Sequence, residues 1–149
     1  MTGSERVNSN TEFEHVTTNA VVDTYNSSSG IFESLLREVK ELSKKKPEAT
    51  MNPEKVKIIN RVLDDLLTFL KDEPTGKYLD TLDDETLPQM SDAVLVMVQF
   101  ESALASFRQR YKKSIRYLGA KIWITKELLA ESDEAEDEDE DEDEGDDVG

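Results

Sequence analysis

Apolar residues recur at threes and fours along most of this chain, and the spacing predicts helices rather than strands. Over 29–46, Ile31, Phe32, Leu35, Leu36, Val39 and Leu42 form one stripe, the signature of an amphipathic helix. Lys44, Lys45 and Lys46 fall in its last turn, where cations suit the negative end of the helix dipole, and Pro47 ends it. Upstream, 19–25 reads as a helical turn or a brief strand, and Ser27-Ser28-Ser29-Gly30 breaks the pattern. The second helix has a stronger start. Asn52 caps, Pro53 suits the first helical position and Glu54 suits the first turn. Val56, Ile59, Val62, Leu63, Leu66, Leu67 and Leu70 form its buried face, and Pro74-Thr75-Gly76 stops it. Ile58 and Phe69 widen that face beyond what one neighbour covers, which points to a bundle interior or an oligomer interface.

The segment 77–86 reads as a connection pinned to the core by Tyr78, Leu79 and Leu82. Pro88 then opens a long helical pattern. From Leu104 on, two interleaved sevens appear: Leu104, Tyr111, Leu118 and Ile115, Ile122, Leu129. These six residues predict a coiled-coil-like seam for self-association or a partner helix. Gly119 interrupts the seam. The chain over 88–130 is therefore one helix roughly 60 Å long, at about 1.5 Å per residue, or two helices broken at Leu118-Gly119. A strand at 121–125 (KIWIT) is the other option, but it has no obvious partner strand, so helix is favoured. The expected fold is all-α, a three- to four-helix antiparallel bundle with an overlong C-terminal helix.

Charge divides the chain differently. The 149 residues carry a formal net charge of −16. Residues 131–149 hold fourteen carboxylates and no cation, which leaves −2 for the first 130 residues. The expected organisation is a disordered N-terminal segment over 1–18, a nearly neutral helical domain over 19–130, and a disordered polyacidic tail over 131–149. There is no Cys, which removes disulfides and thiolate metal sites. No apolar run of membrane-spanning length and no signal-peptide core is evident. A cytoplasmic protein without a membrane partner is expected, nucleoid or nuclear if it meets nucleic acid.

Catalytic signatures are missing. His15 is the only histidine, so Ser-His-Asp, Cys-His and His-rich metal arrangements cannot be built. Asp64-Asp65 and the cluster Asp80, Asp83, Asp84, Glu85 lack the spacing of a calcium loop and read as solvated surface. No enzyme activity, cofactor or metal is expected.

The segment 107–126 has more content. It holds Arg108, Arg110, Lys112, Lys113, Arg116, Lys121 and Lys126, with no acid between Glu101 and Glu127, and Phe107, Tyr111, Tyr117 and Trp123 interleaved. Cations release counterions from phosphates, and aromatic rings stack on bases. Arg108, Arg110, Lys112, Lys113, Arg116, Tyr117, Lys121, Trp123 and Lys126 are thus candidates for contact with nucleic acid or an acidic partner. The plainer reading is a solvated outer helix face, with Phe107 and Tyr111 in the core.

Three functions follow. The first is a non-enzymatic helical interaction or adaptor protein that oligomerises, with a tail that regulates or solubilises. The second is a nucleic-acid-associated accessory factor of the replication, recombination or transcription type. There the tail is a tethered competitor for the basic stretch, within reach because nineteen residues span at most about 60 Å. The third is a DNA mimic that occupies a DNA-binding protein's site.

Overall fold

The computed structural model describes residues 13–135; residues 1–12 and 136–149, and the expectations of disorder that fall on them, lie outside the described residues. Helix α1 spans Asn19–Lys45, α2 Pro53–Leu70 and α3 Met90–Tyr111. Strands β1 (Lys112–Ile115) and β2 (Ala120–Trp123) follow, then helix α4 over 126–135. The protein is mostly helical with a small two-stranded sheet. The described residues divide into two compact units, 23–109 and 13–22 with 110–135, the divisions falling within α1 and α3.

In the unit 23–109 the helical stripes meet. Phe32, Leu36 and Val39 of α1 are buried, as are Val56, Ile59, Leu63, Leu66, Phe69 and Leu70 of α2. Ala93, Met97, Phe100, Leu104 and Phe107 of α3 complete the core. Ring pairs tie the three together: Phe32 with Phe100 at 6.4 Å, Phe69 with Phe107 at 4.8 Å, and Tyr25 stacked on Phe107 at 6.0 Å. Such pairs add about 0.5–1.5 kcal/mol each beyond their buried area. Helix α3 carries an 18-residue window of mean hydropathy 1.2, long and apolar enough by composition to cross a membrane.

Helix α2 begins as its sequence dictates: Asn52 Oδ1 accepts the amide of Lys55 at 2.8 Å, and Pro53 occupies the first turn. The connection after α2 is held by buried Leu79 and Leu82, while Tyr78 is exposed. Asn60 clamps Leu82 from both sides. Its Nδ2 donates to the Leu82 carbonyl and its Oδ1 accepts from the Leu82 amide, both at 2.8 Å. Ahead of α3, the Met51 amide donates to the Pro88 carbonyl and the Met90 amide to the Ala49 carbonyl, each at 2.9 Å.

Two expectations are corrected here. Helix α1 starts at Asn19, ten residues before the expected start at 29, and runs through Ser27-Ser28-Ser29-Gly30. The Thr18 hydroxyl accepts the amide of Val21 at 3.2 Å and caps it. Ser28 is buried within the helix, so packing outweighs low propensity there. The overlong C-terminal helix does not form either. Helix α3 stops at Tyr111, and an antiparallel hairpin replaces its expected continuation. The strand considered at 121–125 exists, at Ala120–Trp123, and its partner is Lys112–Ile115. Ile115, Ile122 and Trp123 are β-branched or aromatic and favour extended backbone. Gly119 supplies the left-handed residue, φ 67 and ψ 18, that turns the chain back.

Candidate nucleic-acid interface

The hairpin lies wholly in the unit 13–22 with 110–135. Its register pairs Lys112 with Trp123, Lys113 with Ile122, Ser114 with Lys121 and Ile115 with Ala120. Directly opposed residues share a face and successive residues alternate. One face therefore carries Lys112, Ser114, Lys121 and Trp123, and the other Lys113, Ile115, Ala120 and Ile122. The single turn of 3₁₀ helix Arg116–Leu118 forms the tip. The Gly119 amide closes it, reaching the Ile115 carbonyl at 3.1 Å and the Arg116 carbonyl at 3.3 Å.

The root is anchored by backbone. The Ile124 amide donates to the Tyr111 carbonyl at 2.8 Å. Thr17 pairs in parallel with Thr125: its amide donates to the Ile124 carbonyl at 2.9 Å, and its carbonyl accepts from the Lys126 amide at 3.0 Å. Thr17, Ile124 and Thr125 are buried. Thr125 also caps α4, its Oγ1 accepting the amide of Leu128 at 3.1 Å. Glu127 of α4 accepts the Asn19 amide at 3.1 Å, a carboxylate on the positive end of α1. Residues 131–135 continue α4.

Within 112–123 there are four cations and no acid. Lys113, Arg116 and Lys121 are exposed, and Lys112 is half-buried with its Nζ 5.4 Å from the centre of the half-buried Trp123 ring. Lys126 is exposed at the start of α4. Arg110 is half-buried, its guanidinium 5.9 Å from the Tyr111 ring, which also meets His15 edge-on at 6.2 Å. Tyr117 is 89% exposed and Leu118 54% exposed. Of the nine candidate contact residues, the structure thus gathers seven on the hairpin and its root. Lys126 stands on α4, while Arg108 lies in the unit 23–109, exposed, where its charge opposes the effect of burial on Tyr25.

The six residues of the expected seam do not share a helix. Leu104 is buried in α3, and Tyr111 is its last residue. Ile115 ends β1, Leu118 stands at the tip, Ile122 lies on β2 and Leu129 is buried in α4. Their sevenfold spacing is spread over two helices, a turn and two short strands.

The acidic cluster after α2 has a local use. Asp83 Oδ1 accepts the amides of Glu85 and Thr86 at 2.8 and 2.9 Å, and these bonds hold its carboxyl below the usual range. Among the described residues no three acidic or His side chains are grouped to hold a metal ion. A comparison with known families finds no matching model, and neither known proteins nor solved structures give a match.

Proposed function

We propose that this protein is a non-enzymatic, nucleic-acid-associated accessory factor, with the hairpin 112–123 as its contact surface and the acidic C-terminal segment as a tethered competitor. The observation that carries this reading is a rigidly rooted, acid-free hairpin bearing exposed cations on both faces and at its tip. A two-stranded ribbon of this kind fits a nucleic-acid groove or backbone, and its cations gain by releasing counterions. The nine consecutive carboxylates over 136–144 begin thirteen residues after the hairpin ends, which gives them a high effective concentration near it. The helical unit 23–109, taken as an antiparallel bundle, serves as the body of the factor.

The adaptor reading, first on sequence alone, is placed second here. Its seam is dispersed, but one observation favours it: a surface groove of about 350 Å³ lined by Thr75, Tyr78, Val98, Gln99, Ser102 and Ala103, with exposed Leu95 three residues before Val98 on α3.

The test is fluorescence anisotropy with labelled oligonucleotides, using full-length protein and a variant with every carboxylate of 136–144 changed to its amide. The neutralised tail is expected to tighten binding at low salt. With four phosphate contacts to a single strand, affinity should fall about fiftyfold between about 50 and 200 mM salt. Absence of binding by both forms at every salt concentration sinks the proposal.

A further inference from the structure

We infer that the hairpin tip stacks on unpaired nucleobases, so that the ligand class is single-stranded nucleic acid rather than uninterrupted duplex; this rests on the nucleic-acid reading above. The basic stretch is rich in aromatic residues, but its rings are placed very differently. Trp123 is half-buried and carries Lys112 above its ring. Tyr111 has Arg110 near its face and His15 at its edge. Phe107 is buried. Tyr117 alone among them stands in solvent, at 89% exposure, beside the half-exposed Leu118.

Turn chemistry does not call for this pair. Hairpin tips are usually built from Gly, Asn, Asp, Ser and Pro. Here Arg116-Tyr117-Leu118 precedes the one glycine that the left-handed position requires. The tip backbone is fixed by the two bonds from the Gly119 amide, so the ring is held out on a firm turn.

Charge identifies the occupant. Arg116 adjoins the ring in sequence, and exposed Lys113 and Lys121 flank it on opposite faces of the hairpin. A strand crossing the tip meets cations on both sides of the ring, with its bases turned towards Tyr117. An aromatic side chain can stack on any base whose face is free, and stacking is tolerant of sequence. In an intact duplex the base faces are already covered, so only an end, a gap or a single strand offers one. Leu118 then packs beside the stacked base as an apolar wedge.

The experiment uses the chain with the amide-substituted tail, a 5-bromouracil-containing single strand, a duplex of equal phosphate number with both ends capped, and anionic vesicles. The single strand should bind about tenfold more tightly than the duplex. Tyr117→Ala should remove that preference and Tyr117→Phe should keep it, because the ring and not the hydroxyl is used. Irradiation should cross-link bromouracil to Tyr117. Equal affinity for strand and duplex, with Tyr117→Ala silent but Lys113→Glu and Lys121→Glu weakening both, overturns the stacking inference and leaves the nucleic-acid reading standing. Binding to neither nucleic acid removes both. Tyr117-dependent binding to vesicles alone would transfer the tip to a membrane surface and overturn the inference.

Discussion

Asn60 shows how much one side chain contributes when it meets backbone on both sides. Its amide satisfies the donor and the acceptor of Leu82 at once, in a connection with little regular structure. Asn60→Ala should lower unfolding stability by about 2 kcal/mol, read from the urea midpoint, since two part-buried bonds are lost and two backbone groups are orphaned. Glycines make a contrasting pair. A Cβ on Gly30 meets nothing within 4 Å, and the residue sits in α1, so Gly30→Ala should stabilise by about 1 kcal/mol. A Cβ on Gly76 runs into the carbonyl oxygens of Lys71 and Leu70, so Gly76→Ala should lower the melting temperature. Tyr25 responds to pH. Burial raises its phenol above the ordinary 10.0, Arg108 opposes this and Glu33 adds to it. The folded state therefore holds the proton more tightly than the unfolded chain. The stabilisation is whole below pH 10.0 and is lost as pH rises through the elevated value. Tyr25→Phe should flatten the decline in urea stability above that pH.

At the scale of elements, legibility followed the strength of local signals. Helix α2 was readable because Asn52, Pro53 and Glu54 and a seven-residue apolar face agree with one another. The start of α1 was not, because the Ser27–Gly30 run has low helix propensity and the burial of Ser28 is set by distant neighbours. The cap at Thr18 was the available signal, three residues ahead of Val21. The hairpin misled more thoroughly. Its strands are only four residues each, its turn lacks an Asn-Gly or Asp-Gly pair, and β1 reads KKSI, with two lysines and a serine. Apolar residues on α3, the hairpin and α4 happen to fall seven apart, which imitates a helix seam. For the candidate site, composition alone marked 107–126, and the structure adds which of its rings stands in solvent. Gly119 is the hinge of that arrangement. Gly119→Ala should cost about 1–2 kcal/mol from its left-handed backbone and not from crowding, since open space surrounds the position. Circular dichroism of the melting transition measures it, and Gly119→Asn should recover part of the loss.

For the molecule as a whole, the net charge of −16 conceals a nearly neutral protein with a basic hairpin and a polyanionic end. In the proposed function the polyanionic end competes with the nucleic acid for the basic hairpin. Individual surface pairs contribute about 0–1 kcal/mol and are screened by salt, so the competition is diffuse and strongest at low ionic strength. The decisive measurement is single-strand affinity of the protein with its native and with its neutralised acidic segment, each with and without Lys113→Glu and Lys121→Glu, across a salt series. Neutralising the tail should tighten binding at low salt, the gain should shrink as salt rises, and the two substitutions should abolish it. Binding that ignores the hairpin substitutions, or that is the same with either tail at low salt, would contradict the proposed function.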